Sequence, residues 1–158
     1  MNILVDADSC PRPARELILR TAKRRGITAI FAANRLIPGL EGENAVMEQC
    51  PPGEGTADDR IVGLALRGDL AITRDIPLAK RLVEKDVHVL DDRGRLYTRE
   101  NIGERLSLRN FMVDLAGKGL SPERSAAYGK KELKAMADSL DRLLSRIIPS
   151  PGTGPGSA

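Results

Sequence analysis

Three short segments constrain the fold more than anything else in the chain. They are Ile3-Leu4-Val5-Asp6-Ala7-Asp8, Leu70-Ala71-Ile72-Thr73-Arg74-Asp75 and Val87-His88-Val89-Leu90-Asp91-Asp92. In each, an apolar run of strand length stops at an aspartate, and a helix-like pattern begins. Short continuous apolar runs bounded by polar residues suit strands buried on both faces, as in a parallel sheet. Ligands of open parallel sheets bind in the crevice outside the carboxyl ends of the strands. This layout therefore gathers acidic side chains from distant positions at one rim. Such a cluster calls for a divalent cation, which points to metal-dependent phosphate chemistry.

The rest of the chain fits that frame. A first strand is expected over residues 2–6. Pro11 and Pro13 suit the opening turn of a helix, where a missing N–H costs little. Ala14, Leu17, Ile18, Thr21 and Ala22 then repeat at helical spacing until Gly26, which suits a helix end. A second strand follows at Thr28–Ala33, so strand, helix and strand form a right-handed crossover with parallel pairing. Residues 34–56 carry Pro38, Gly39, Gly42, Pro51, Pro52, Gly53 and Gly55, with a weak strand signal at Ala45–Cys50. A short helix is expected over Ile61–Leu66, a strand over 70–73, a helix over 76–85 and a strand over 87–90. Further helices are expected over about 99–116 and from Lys130, where Leu133, Met136, Ala137, Leu140, Leu143, Leu144, Ile147 and Ile148 share one spacing. The reading is α/β, one domain over residues 1–148 with a Pro/Gly/Ser-rich tail at 149–158 expected to be disordered.

Composition narrows the functional classes. A chain of 158 residues with 41% hydrophobic residues buries a real core, yet it holds only two Phe, two Tyr and no Trp. That core must be aliphatic. The formal charge of +3 is modest, and only its distribution is informative: Arg12, Arg15, Arg20, Lys23, Arg24 and Arg25 crowd one helical segment. Two cysteines, Cys10 and Cys50, make neither a disulfide framework nor a zinc site. The start lacks a signal-type pattern, and no apolar run approaches the roughly 20 residues that span a bilayer. A soluble cytoplasmic protein, away from membranes, is expected, and a homo-oligomer is compatible with the sequence.

The acids divide by what else could explain them. Asp6 ends a buried run; Asp8 stands two residues on, and in extended backbone both point to one side, although Asp8 also suits a turn. Thr56-Ala57-Asp58-Asp59 matches a capping box, which gives Asp59 a structural task and leaves Asp58 as the better ligand. Asp75, before Ile76-Pro77, also suits a helix cap. Asp91-Asp92, before Arg93-Gly94, reads as a tight turn. Two carboxylates about 4 Å apart repel by roughly 4 kcal/mol at an effective dielectric near 20, so the set needs protonation, separation or a hard cation. Mg²⁺ and Mn²⁺ prefer oxygen ligands. His88, the sole histidine, lies inside a strand pattern, which excludes mechanisms needing paired histidines. Cys10 reads as a small buried hydrophobe. Thr73, just past its strand, is placed to offer a hydroxyl to a phosphate. No phosphate-cradling GxxxxGK[ST] or GxGxxG motif is present.

Asp6-Ala7-Asp8-Ser9-Cys10-Pro11, Ala57-Asp58-Asp59-Arg60-Ile61-Val62 and Gly68-Asp69-Leu70-Ala71-Ile72-Thr73-Arg74-Asp75-Ile76-Pro77-Leu78-Ala79 resemble the bacterial YaiI/YqxD family. Arg93-Gly94 with Tyr97, and Leu108-Arg109-Asn110-Phe111-Met112, extend the resemblance over about residues 2–145. It implies a PIN-like three-layer fold with a mainly parallel sheet and an acidic metal site of the kind used by ribonucleases and flap nucleases. By position, Asp6, Asp8, Asp58 and Asp75 would form that site, with Thr73 beside it. Two departures stand out: Glu48-Gln49-Cys50-Pro51-Pro52-Gly53-Glu54 replaces a fuller strand, and Asn110 stands where the family commonly carries Asp.

Three functions follow as expectations. The first is a nuclease acting on RNA or single-stranded DNA, holding Mg²⁺ or Mn²⁺ with Asp6, Asp8, Asp58, Asp59 and Asp75, and nucleic acid with Arg12, Arg15 and Arg74. The second resembles the haloacid dehalogenase phosphatases, with Asp6-Ala7-Asp8 as the opening motif, then Thr73, Lys80 or Lys85, and Asp91-Asp92. The third is an RNA- or protein-binding module without catalysis.

Overall fold

A computed structural model of the chain describes residues 1–120 and 127–148. Six strands form one sheet: β1 (Asn2–Asp6), β2 (Thr28–Ala33), β3 (Ala45–Gln49), β4 (Leu70–Ile72), β5 (His88–Leu90) and β6 (Leu96–Tyr97), in the order β3-β2-β1-β4-β5-β6. All neighbours run parallel except β5 and β6. The helices are α1 (Arg12–Arg25), α2 (Thr56–Leu64), α3 (Ile76–Glu84), α4 (Ile102–Gly117) and α5 (Lys130–Ile147).

Alternation along the strands sends successive side chains to opposite faces, and both faces are covered. Ile3, Val5, Phe31 and Ile72 meet Ala14, Ile18 and Ala22 of α1 and Met136, Leu140 and Leu144 of α5. Leu4, Ala32, Ala71 and Val89 meet Ile61 of α2, Leu78 and Leu82 of α3 and Ile102 of α4. Covering on both faces is why the strands are apolar at nearly every position rather than at alternate ones. The result is an α/β three-layer fold consistent with a PIN-like arrangement.

The ends of α1 form as the residues dictate. Pro11 caps its start in extended backbone with Pro13 in the first turn, and Gly26 ends it at φ 66°. Elsewhere boundaries move. The weak strand signal at 45–50 is a real edge strand, β3, paired along β2. α2 begins at Thr56, five residues before the expected start, because its first turn is polar and escapes an apolar pattern. The capping box is absent: Thr56 Oγ1 donates to Pro51 O and Gly53 O instead of serving the helix, whose cap is Gly55. The short strand β6 is unforeseen, with only two residues to announce it.

α4 differs from its neighbours. Ile102 is its one fully buried residue, while Leu108, Phe111, Met112 and Val113 are exposed. A tight turn joins β5 to β6 and meets α5 at Gly94, which has φ +85°. A Cβ there would lie 2.5 Å from Ala135 O. The 149–158 tail lies outside the described residues. Among the described residues, no helix is long and apolar enough to cross a membrane.

Candidate active site at the β1–β4 switch point

From β1 the chain builds outward through β2 and β3; it then returns to the other side of β1 with β4 and continues to β5. The crevice between the carboxyl ends of β1 and β4 is therefore the topological switch point of the sheet, the place where such folds bind ligands. Asp6 is the last residue of β1 and Thr73 the first after β4. Thr73 Oγ1 donates to Asp6 Oδ2 at 2.9 Å, and Ser9 Oγ donates to the same oxygen at 2.9 Å. Thr73 in turn accepts from the Asp75 N–H at 3.0 Å, and Asp75 Oδ1 accepts from the Leu78 N–H at 3.1 Å. Asp75 thus caps α3, as the sequence allowed, while lying in the same hydrogen-bonded chain as Asp6.

The charges follow from the same geometry. Asp6 is 7% exposed, and burial raises its pKa above the usual carboxylate range. The Ser9 and Thr73 hydroxyls counter that rise, and the Asp75 and Asp8 charges add to it. Asp58, in the first turn of α2, is pushed up to about 6, by burial first and then by Asp75 and Asp6, against a smaller opposing pull from Arg81. Three segments separated by up to 69 positions, 6 to 75, thus bring Asp6, Asp58 and Asp75 within electrostatic reach of each other.

Asp8 and Asp59 depart from expectation. The strand ends at Asp6, and residues 7–9 form a 3₁₀ turn, so the extended i, i+2 argument fails for Asp8. Its carboxylate turns toward β2 instead, accepting from the Asn34 N–H at 2.8 Å and lying 3.6 Å from Arg35. It still contributes charge to Asp6. Asp59 is not a reciprocal cap; it pairs with Arg81 of α3 at 3.0 Å.

A model of the uncharacterized YaiI/YqxD family matches residues 4–146. The chain belongs to that family. It is 47% identical over 148 residues to the UPF0178 protein of Treponema pallidum (strain Nichols), covering 94% of this chain and 84% of that one. It is 46% identical over 148 residues to the UPF0178 protein of Treponema denticola, covering 94% of both. The UPF0178 protein of Myxococcus xanthus (strain DK1622) is 43% identical over 150 residues, covering 94% of this chain and 97% of that one. No solved structure is significantly similar.

Within this family member the remaining polar residues divide clearly. Asp91, one strand further along the sheet, accepts from the Arg93 and Arg95 N–H groups at 2.9 and 2.8 Å and from Tyr97 Oη at 3.3 Å. Asp92 pairs with Arg74. Asp91 serves the turn, as the sequence suggested, whereas the Asp92 carboxylate turns back toward Arg74, beside Asp6 and Thr73, with Oδ1 buried and without a hydrogen-bond partner. Arg74 is therefore held by a buried carboxylate rather than extended toward a ligand. Lys85 donates to Val62 O and Ala65 O, closing the carboxyl end of α2, far from the rim. Lys80 pairs with Glu84 on the surface of α3. His88 opens β5, at the edge of the sheet opposite the acids. Burial and Asp92 push the Cys10 thiol up to about 12, which keeps it protonated and inert.

The basic helix is less continuous in function than in sequence. Arg25 binds Asp141 at 2.7 Å and Ser145 at 3.0 Å, and Arg24 lies 3.7 Å from Asp141, so both fasten α1 to α5. In the opening turn, Arg12 pairs with Glu16 at 3.1 Å and Arg15 donates to Cys10 O at 2.7 Å.

Three residues of the site carried no assigned role in the sequence. Ser9 was visible beside Asp6-Ala7-Asp8, since a hydroxyl three positions after a strand-ending acid can fold back in a tight turn. Asn34 links β2 to the α2 entry by donating from Nδ2 to Gly53 O at 2.8 Å and Thr56 Oγ1 at 3.0 Å. Arg35 faces Asp8. Neither had a signal beyond lying after a strand.

Proposed function

We propose that this protein is a divalent-metal-dependent nuclease that hydrolyses phosphodiester bonds of RNA or single-stranded DNA at the β1–β4 crevice. The observation that carries the reading is the buried Asp6, held by two hydroxyls, with Asp58 pushed up to about 6 by burial and then by the nearby Asp75 and Asp6 charges. Carboxylates left to repel one another at a ligand-binding edge are what a hard cation would relieve.

Among the described residues, no three His, Cys, Asp or Glu side chains form a group that could hold a metal ion by themselves. The donor set fits a different mode. Mg²⁺ is usually bound through one or two carboxylates and keeps several waters, which substrate oxygens then replace. Asp6 and Asp58 would be the direct ligands, with Asp75 and Asp8 acting on coordinated waters and Asp59 outside the set. Once bound, the ion would supply a more acidic water and offset charge on the departing oxygen. The chain does the rest. Ser9 and Thr73 fix the orientation of Asp6, and Thr73 ties it to Asp75, so the acids keep their spacing when a substrate enters. Arg12 and Arg15, at the start of α1 after the β1 turn, would attract the phosphate backbone with little sequence preference. With two Phe, two Tyr and no Trp in the chain, base stacking contributes little.

The test is single-stranded RNA or DNA with Mn²⁺ or Mg²⁺, comparing wild type with Asp6→Asn. Cleavage by wild type should fall by about 100-fold or more in the variant, with the melting temperature held. Undiminished Mn²⁺-dependent cleavage by Asp6→Asn refutes the assignment. The phosphatase arrangement has less support, because Asp91 and Lys85 are engaged in structural bonds.

A further inference from the structure

A cavity of about 400 Å³ lies between α1 and the segment after β2. One wall is the first two turns of α1, bearing Arg12, Arg15 and Glu16; the other is the segment after β2, bearing Arg35. Ile37 and Leu40, both buried, give it an apolar base. Three guanidinium groups and one carboxylate, Glu16, line the cavity; Glu16 pairs with Arg12 at 3.1 Å between two exposed side chains, and Arg15 donates to Cys10 O at 2.7 Å. Arg35 lies 3.6 Å from Asp8, so Asp8 links this cavity to the segment that follows β1.

We infer that this cavity binds one phosphate-bearing nucleotide unit, with the phosphate on Arg12 and Arg35 and the sugar and base over Ile37 and Leu40. Its volume falls in the range of about 300–1,000 Å³ typical of small-ligand sites, which suits one nucleotide and not a run of several. Arginine is the side chain suited to a phosphate, because its planar fork matches two oxygens at once. A monoester phosphate carries up to two negative charges at neutral pH, against one for an internal diester. Two exposed arginines in one recess, Arg12 and Arg35, therefore favour a terminal phosphate over a phosphate within a strand. Two sources share that chemistry: the phosphorylated end of a nucleic-acid strand, and a free nucleoside monophosphate. The strand source rests on the nuclease reading, whereas the pocket chemistry does not.

Binding measured without turnover separates the two claims. The full chain is titrated in EDTA against dye-labelled ten-nucleotide RNA carrying a phosphate at the unlabelled 5′ end, at the unlabelled 3′ end, or at neither. At least tenfold tighter binding of one phosphorylated form is expected. Arg12→Gln with Arg35→Gln, both surface positions, should cut that preference below threefold, whereas Glu16→Gln should increase it. Competition by a nucleoside monophosphate at concentrations matching the oligonucleotide identifies the free nucleotide as the ligand; competition only at far higher concentrations identifies the strand end. Equal binding of all three oligonucleotides, or a preference untouched by the arginine substitutions, overturns the inference. Because no metal is present, these results stand whether or not the protein cleaves anything.

Discussion

At the carboxyl end of β5, Asp91 receives three donors and Asp92 an arginine. At the carboxyl ends of β1 and β4, Asp6 receives two neutral hydroxyls and faces other acids. The local sequences look alike, an apolar run ending in aspartate, yet their chemistry differs. Around Asp91 the donors come from its own turn, and Asp92 is paired through one oxygen with Arg74 while Oδ1 has no hydrogen-bond partner, so Asp91 stabilises the turn that meets α5 and only Asp92 is offset by a cation. Around Asp6 the charge is oriented but not neutralised, so the fold holds it at a loss. Groups kept in that state are where binding and catalysis concentrate.

Breaking the β5 turn should have the largest effect. Gly94→Ala places a Cβ against Ala135 O at a positive φ. Overpacking and left-handed backbone together should cost about 3–4 kcal/mol, read as a lower urea midpoint. An unchanged midpoint would show that α5 is not seated on this turn. Asp91→Ala strands two backbone N–H groups and the Tyr97 hydroxyl, and should cost about 2–3 kcal/mol in the same assay. A loss below about 0.5 kcal/mol would remove the contrast between the two regions.

The acidic rim should behave in the opposite sense. Asp58 titrates near 6 when folded, above its ordinary value of 3.8. The native state therefore holds a proton that the unfolded chain releases between about pH 4 and 6, and stability falls as pH rises through that window. After solvent screening this amounts to about 1 kcal/mol. In metal-free buffer, Asp58→Asn should flatten that part of the pH profile; identical slopes in both proteins would contradict the placement of Asp58. The smallest effect belongs to Asp59→Asn, which breaks an exposed pair with Arg81. It should change stability by about 0.5 kcal/mol or less in denaturant titrations, and a larger loss would move Asp59 into the site.

Much of this contrast was legible in the residues because each part had a local cause. The apolar runs ending at Asp6, Leu70–Ile72 and Leu90 mark buried parallel strands, and the parallel order places their ends together. The Asp91-Asp92-Arg93-Gly94 turn follows from turn chemistry alone. What the sequence could not supply was determined by distant partners. The Thr56 hydroxyl, suited to a cap, is drawn to Pro51 O and Gly53 O; the arginines at 24 and 25 are claimed by Asp141, more than 110 positions away. The direction of Asp8 turned on three residues of 3₁₀ geometry after β1, a change no periodicity signals. β6 and the early turn of α2 lacked apolar patterns altogether.

If Asp6 and Asp58 bind one cation at the switch point, with Asp75 acting on its waters, the Asp58 carboxyl must respond to metal. Carboxyl-carbon NMR titration of Asp58, without and with millimolar Mg²⁺, tests it most directly. The account predicts a midpoint near 6 in EDTA that falls below about 4 when Mg²⁺ neutralises the rim. A midpoint near 6 that Mg²⁺ leaves unmoved would contradict it.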